Sequence, residues 1–318
     1  MKGEKMSHLH WITATLVTAL VVLAAMTNVA LAQHRPDAKP PTEGQIKRVA
    51  EAIPAKANAK PAKPRKVLVF WRCEGFFHDA IPLANKCFEL MGEKTGAFEA
   101  VVSDDMSMFD PDNLNQFDAV LFNNTTRLKF DDPARRKALM DFVKGGKGII
   151  GIHAAADNFY DWPEASEMLG GLFDGHPWGA GGRWAVKIDE PEHPFNKSFE
   201  GKGFIIRDEI YQMSTPPYSR DKLRVLLSLD MSKEQNLKVK GMKREDKDFA
   251  IAWIREYGDG RVFYSGLGHN HAIFWNKAIV QQYLDGIQYA LGDLDADATP
   301  SGQLTKKPKP ALAPGAKD

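Results

Sequence analysis

The sequence predicts an α/β fold, a flavodoxin-like parallel sheet with additional antiparallel strands and loops in its second half. Three observations predict it. Short apolar runs alternate with segments of helical period through the first half. Strand-like runs follow one another with few helices through the second. Polar, ligand-capable side chains come directly after several apolar runs, where an open α/β sheet binds its ligands.

The elements follow in order. Val67–Trp71 is a short apolar run, the pattern of a strand buried on both faces. Asp79–Met91 has helical spacing through Ile81, Ala84, Phe88, Leu90 and Met91. Asp79 suits the N-cap of that helix. Phe98–Val102 and Asp118–Phe122 read as the second and third strands. Asp132–Val143 opens on an Asp-Pro pair, a favoured helix start. Lys147–Ile152 is a fourth strand. Strand and helix alternating at this spacing imply right-handed crossovers and parallel pairing. Further strands are expected at Trp184–Ile188, Phe204–Gln212, Arg224–Ser228, Phe249–Glu256 and Arg261–Ser265, before a closing helix at Ala272–Leu291.

Both ends differ in composition from this core. Lys2 and Lys5 precede an apolar run, Trp11–Met26, and Ala30-Leu31-Ala32 follows. The run is shorter than the roughly 20 residues of a spanning helix. A basic start, an apolar middle and a small-x-small exit describe a signal peptide over residues 1–32. The expectation is export to the periplasm or the extracellular space, with no stable membrane insertion after cleavage. Residues 33–65, rich in Ala, Pro and Lys, read as a disordered leader, and 295–318 as a disordered tail. One folded domain is expected over 66–294.

Charge and motifs exclude several function classes. Residues 1–32 carry Lys2, Lys5 and Glu4, so their removal leaves basic and acidic residues in balance. A balanced chain has no general attraction for nucleic acid. No G-x-G-x-x-G follows the first strand and there is no P-loop, so no nucleotide cofactor is expected. Cys73 and Cys87 are the two cysteines. One sits after a strand and the other inside a helix, which favours two free thiols over a bridge.

The candidate site lies where the strands end. Arg72 to Asp79 follow the first strand, Asn123-Asn124-Thr125-Thr126 the third, His153-Ala154-Ala155-Ala156-Asp157 the fourth, and Gly266-Leu267-Gly268-His269-Asn270-His271 the last. His153 occupies a strand-to-helix elbow that elsewhere carries a Ser or Cys nucleophile. It suits a general acid/base or a metal ligand, or else a structural hydrogen bond. His269 and His271 are two apart, on one side of an extended segment. With His153 they form a candidate set for a divalent cation, zinc or manganese, against the plainer reading of a helix-capping pair. In Asp208-Glu209-Ile210-Tyr211, strand alternation sends Glu209 and Tyr211 to one face. Glu209 is the candidate general base, unless it pairs with a nearby arginine. His78 and Asp79, where a helix opens onto a polyhydroxyl ligand, and Asn124, after the third strand, are candidate substrate contacts, and so are Trp178, Tyr211 and Trp275, since flat rings suit sugar faces. His176 lies in a glycine-bracketed loop, and His193 in Glu192-His193-Pro194 reads as a turn residue.

Five motifs in order resemble the ThuA-like, or trehalose-utilisation, family: Phe77-His78-Asp79-Ala80-Ile81, Gly151-Ile152-His153-Ala154-Ala155, Glu192-His193-Pro194, Asp208-Glu209-Ile210-Tyr211 and Gly260 to His269. The resemblance spans about residues 66–293. It implies a fold like that of class I glutamine amidotransferases, with the elbow at position 153. Those enzymes carry Cys there, so His153 argues against glutamine hydrolysis. The family's link to disaccharide use implies a small carbohydrate or 3-keto-sugar ligand, for an enzyme (hydrolase, lyase or isomerase) or for a non-catalytic binding protein. Either reading is compatible with a homo-oligomer.

Overall fold

The computed structural model describes residues 38–315. The expected signal peptide over 1–32, the first residues of the leader and the last three of the tail lie outside them. No helix among the described residues is long and apolar enough to cross a membrane.

Nine strands form one sheet: β1 (Lys66–Phe70), β2 (Glu99–Ser103), β3 (Ala119–Asn123), β4 (Gly148–Ile152), β5 (Trp184–Ile188), β6 (Phe204–Ile206), β7 (Arg224–Leu229), β8 (Ala250–Tyr257) and β9 (Gly260–Ser265). Their order is β2-β1-β3-β4-β9-β8-β7-β5-β6. From β2 to β9 all pairings are parallel. From β9 to β6 all are antiparallel. β9 is therefore the seam between the two halves, as the α/β reading with an antiparallel extension requires.

Among the described residues the α-helices are α1 (Glu43–Ala52), α2 (Ile81–Thr95), α3 (Pro111–Leu114), α4 (Pro133–Lys144), α5 (Pro163–Leu169), α6 (Glu234–Leu237) and α7 (Lys277–Ala290). They cover both faces of the sheet. On one face Val67, Val69, Leu121, Ile150 and Ile152 pack with Leu83, Ala84 and Phe88 of α2 and Val280, Leu284 and Ile287 of α7. On the other, Leu68, Phe70, Val120, Phe122 and Ile149 pack with Leu139, Met140 and Val143 of α4. The central strands bury both faces, and this is why they read as unbroken apolar runs.

Register fixes the working edge. Phe70 pairs with Phe122, Asn123 with Ile152, and Ile152 with Ser265. The carboxyl ends of β1, β3, β4 and β9 therefore emerge side by side. The chain passes from β1 to β2 on one side and then crosses back to β3 on the other side of β1, and such a switch point opens a crevice beyond the strand ends.

Several expectations are corrected. The disordered leader does not hold over the described part of 33–65. Thr42 and Gln45 form a capping box at the start of α1, and Val49, Ala52 and Ile53 are buried in the core with α2. Downstream, the Asn58 and Ala59 amides donate to Gln288 Oε1 at 3.0 and 3.2 Å. The Arg65 guanidinium holds Asp293 at 2.6 Å. Composition weighs only the apolar surface a segment carries, and misses a surface built elsewhere that it completes.

The tail over 295–318 is likewise docked through its described residues. Ala311 exchanges two 2.9 Å backbone hydrogen bonds with Ile188 of β5, where the three-residue β6 no longer covers that strand. Asp79 does not cap α2. That role falls to Ala80, with no side-chain bond, ahead of Pro82 in the first turn. The expected strand Phe204–Gln212 ends at Ile206. The closing helix begins at Lys277 and is capped by Asn276; a 3-10 turn over His271–Trp275 precedes it.

Candidate functional site

Four segments bring a side chain to the crevice. His78 lies in the loop between β1 and α2 and is buried. His153 follows β4 directly with φ +46°, so the elbow seen in the sequence is a left-handed turn. Parallel register sets Gly266 beside it, and His153 Nδ1 stands 2.8 Å from the Gly266 carbonyl oxygen. A carbonyl only accepts, so Nδ1 carries the hydrogen and Nε2 presents its lone pair to the crevice.

His269 rides on the turn after β9. Buried Asp208 shapes that turn, its carboxylate accepting 2.7 Å hydrogen bonds from the Gly268 and Asn270 amides. Burial pushes the Asp208 carboxyl up to about 7 against the pull of those two amides. Glu209 comes next in sequence and faces the histidines. The segment that carries it crosses the strand ends and is held by a bridge between Ile210 and Trp178.

His78, His153, Glu209 and His269 each offer an atom, all within 4.8 Å of one another. The imidazole centroids lie 5.0, 5.0 and 5.3 Å apart, with ring planes 86° to 88° from one another. Glu209 Oε1 is 3.7 Å from His153 Nε2 and 3.4 Å from His269 Nδ1. His78 Nδ1, His153 Nε2 and His269 Nδ1 are all buried without a hydrogen-bond partner. At His153 a lone pair faces a carboxylate oxygen, so two acceptors point at each other with no proton between them.

Charge and burial divide the histidines. Burial, helped by His269 and His176, lowers His78 to about 3. Burial, with His78 and His269 next to it, holds His153 well below the usual imidazole range. Burial also works against charge on His269, but Glu209, with Asp208 and Asp79 behind it, outweighs this and raises it. Burial opposes charge on Glu209 too, and the surrounding histidines overcome it and lower its pKa. Two neutral imidazoles, a basic third and an ionised carboxylate make a donor set suited to a divalent cation.

The candidates from sequence divide clearly. His153, Glu209 and His269 meet, and His78 joins them as a fourth donor where a substrate contact was expected. Tyr211 packs against His153 at 4.5 Å, on the same side as Glu209. Asn124 is buried beside them, with Nδ2 3.4 Å from the Gly268 carbonyl oxygen and Oδ1 unpartnered.

His271 is a correction. Gly268 has φ +136° and a 3-10 turn starts at His271, so the alternation of an extended segment does not apply. His271 instead lines a separate cavity with Asp79, against Pro40, Pro41 and Gln45. Trp178 is also corrected. It is fully buried, edge-on to Phe249, with Nε1 donating to the Asn236 carbonyl at 3.1 Å. Trp275 packs against the core beneath Arg48, 5.4 Å from its ring.

Sequence reasoning left His176 without a role, yet its Nδ1 stands 3.3 Å from Glu209 Oε2 and its ring is exposed. The one signal was the flanking Gly175, which has φ +110°. His193 is a local turn residue, its Nδ1 accepting from the Phe195 amide at 3.3 Å. Cys73 and Cys87 are free and buried. Burial pushes them up to about 11 and about 12, which disfavours the thiolate needed for nucleophilic chemistry.

No curated protein matches this chain. Among solved structures it is similar to a ThuA-like protein of Bacteroides uniformis at 23% identity and TM-score 0.58, over 73% of this chain and 94% of that one. It is also similar to a ThuA-like protein of Parabacteroides merdae at 18% identity and TM-score 0.55, over 77% of this chain and 93% of the other. Likeness at this identity speaks for the fold. Residues 66–290, with the crevice and all four of its donors, match the ThuA family, described as trehalose utilisation, and the chain belongs to that family.

Proposed function

We propose that the protein is an exported enzyme of carbohydrate utilisation. Its substrate is a disaccharide or 3-keto-sugar, and His78, His153, Glu209 and His269 hold a divalent cation. One observation carries the cation reading: the His153 Nε2 lone pair and the Glu209 carboxylate face each other at 3.7 Å. A bound cation would polarise a sugar carbonyl or hydroxyl and stabilise negative charge developing on its oxygen. The protein's own groups do the rest. The Gly266 carbonyl fixes the His153 tautomer, as ligand histidines require. Asp208 fixes the turn that aims His269. His176 spans Glu209 and solvent, a route by which a proton taken up at the crevice can leave. A histidine at the elbow offers no acyl-accepting thiol, which argues against glutamine hydrolysis.

The test is elemental analysis of purified protein, followed by incubation with trehalose and 3-keto-trehalose and chromatography of the products. The expected result is about one zinc or manganese per chain, with turnover lost on chelation and in His153→Ala. Sugar binding without any product would make it a carbohydrate-binding protein. A metal-free protein whose turnover survives His153→Ala would overturn the cation site.

A further inference from the structure

A cleft of about 540 Å³ opens beside the four donors, lined by Arg127, Tyr160, Phe173, His176 and Lys243 among others. This lies within the roughly 300–1,000 Å³ of small-ligand sites. His176 joins the two spaces. Its ring stacks on Phe173 at 5.8 Å and 20°, while its Nδ1 faces Glu209. Phe173 in turn packs on Tyr211 at 4.4 Å, and Tyr211 on His153.

Exposed aromatics stand in the cleft and beside the donors. The large hydrophobic side chains exposed among the described residues are Phe76 at 66%, Tyr160 at 40%, Leu237 and Leu312. Tyr160 lines the cleft, and Phe76 lies on the loop next to the four donors. Phe76 stands edge-on to His78 at 4.9 Å. Its loop lies against Arg127, since a Cβ on Gly75 would come 2.5 Å from Arg127 Cγ. Arg127 lies over the Tyr160 ring at 4.1 Å. Exposing one ring in the cleft and another beside the donors has a hydrophobic cost that ligand contact would offset.

The charges of the cleft are paired. Arg127 Nε is 3.2 Å from Asp157, and Lys243 bonds Asp174 across the opening. Neither sign is in excess, so the cleft has no general pull on an anion or a cation. Paired charges still offer strong donors and acceptors side by side, which suits hydroxyl groups, since each can donate and accept. The walls are also preformed. Buried Gln212 donates to the Asp174 and Gly241 carbonyls at 3.1 and 3.0 Å and accepts from the Lys243 amide at 2.9 Å. It thereby ties the two lips together.

We propose that this cleft is a subsite for a neutral pyranose ring, with Phe76 and Tyr160 as stacking surfaces and Lys243–Asp174 and Arg127–Asp157 as hydroxyl partners. It seats the non-reacting ring of the substrate, while the reacting ring lies past His176 at the four donors. The proposal rests on the carbohydrate reading above and deepens it.

Calorimetric titration tests it, with trehalose, maltose, cellobiose and glucose as probes and trehalose 6-phosphate as the anionic control. Wild type, Phe76→Ala and Lys243→Met are compared, with metal content and circular dichroism recorded for each. At least one neutral sugar should bind. Each variant should weaken it about tenfold, the scale of one aromatic or charge-assisted contact, with metal content and fold unchanged. The phosphorylated sugar should bind no more tightly than trehalose. Binding of no neutral sugar, binding indifferent to both variants, or a preference for the anionic sugar would each overturn the subsite. Wild-type protein that contains no metal yet binds a neutral sugar, with that binding weakened in both variants, sinks the cation centre alone and leaves the subsite standing.

Discussion

At the scale of single residues, the site depends on backbone that most side chains resist. His153 sits at φ +46° and Gly268 at φ +136°. Only glycine takes the second conformation without strain. A Cβ on Gly268 would also stand 3.0 Å from Ile152 Cγ2 and 3.3 Å from His153 Cβ. Gly268→Ala therefore pushes on one donor while straining the turn that carries another. The expected outcome is a loss of roughly 1–3 kcal/mol in stability and at least a tenfold fall in cation affinity, read by thermal denaturation and calorimetry. Gly96→Ala is the control. Gly96 also has positive φ, at the end of α2, but nothing lies within 4 Å of its added Cβ. That variant should lose stability alone. Equal cation affinity in both variants would show that the turn after β9 does not set the donor geometry.

At the scale of elements, what the sequence revealed depended on whether an element's signal lies within its own residues. The central strands declared themselves because burial on both faces leaves an unbroken apolar run. Helix α4 did so through Asp132 and Pro133, and Asp132 accepts from the Ala134 amide at 2.8 Å. Helix α1 did not, because the surface that buries Val49 and Ile53 belongs to α2 and to the 3-10 turn His271–Trp275. Residues 57–65 were hidden in the same way, since their partners Asp285, Gln288 and Asp293 lie more than two hundred positions away. Asp285 makes this docking testable. It is buried in α7, and its Oδ1 accepts from Asn58 Nδ2 at 2.6 Å and Gln281 Nε2 at 2.9 Å. Burial pushes its carboxyl up from 3.8 to about 6, against those two donors. The folded chain thus keeps a proton that the unfolded chain releases at about pH 4. Between about pH 4 and 6 the folded state binds more protons, so this group's contribution to stability falls as pH rises. Asp285→Asn keeps an acceptor and removes the titration. Its melting temperature relative to wild type should climb across that window and level off above it. A difference that stays flat with pH would contradict the assignment.

At the scale of the whole molecule, the four donors come from distant stretches of chain: the loop after β1, the end of β4, the segment past β6 and the turn after β9. Three follow from parallel register, and this is why histidines at strand ends in the sequence, His153 and His269 among them, meet in the structure. Glu209 does not, because its segment leaves β6 on the far antiparallel edge and returns across the strand ends through irregular backbone. His271 misled for a related reason, since spacing along a chain implies a shared face only where the chain stays extended. This long-range assembly ties cation binding to global folding. The unfolded chain cannot hold four donors so far apart together, so a cation held as proposed would bind the native state alone and stabilise it by RT ln(1 + [L]/Kd). At a free cation concentration a hundred times Kd this is about 2.7 kcal/mol. For a domain of this size that amounts to several degrees of melting temperature. Chelation should lower the wild-type melting temperature by that amount, and added zinc or manganese should restore it as the logarithm of its concentration. His153→Ala should begin at a lower temperature and respond to neither treatment. If wild type melts at one temperature with chelator, without it and with added cation, these four side chains hold no ion and their mutual approach is a feature of packing.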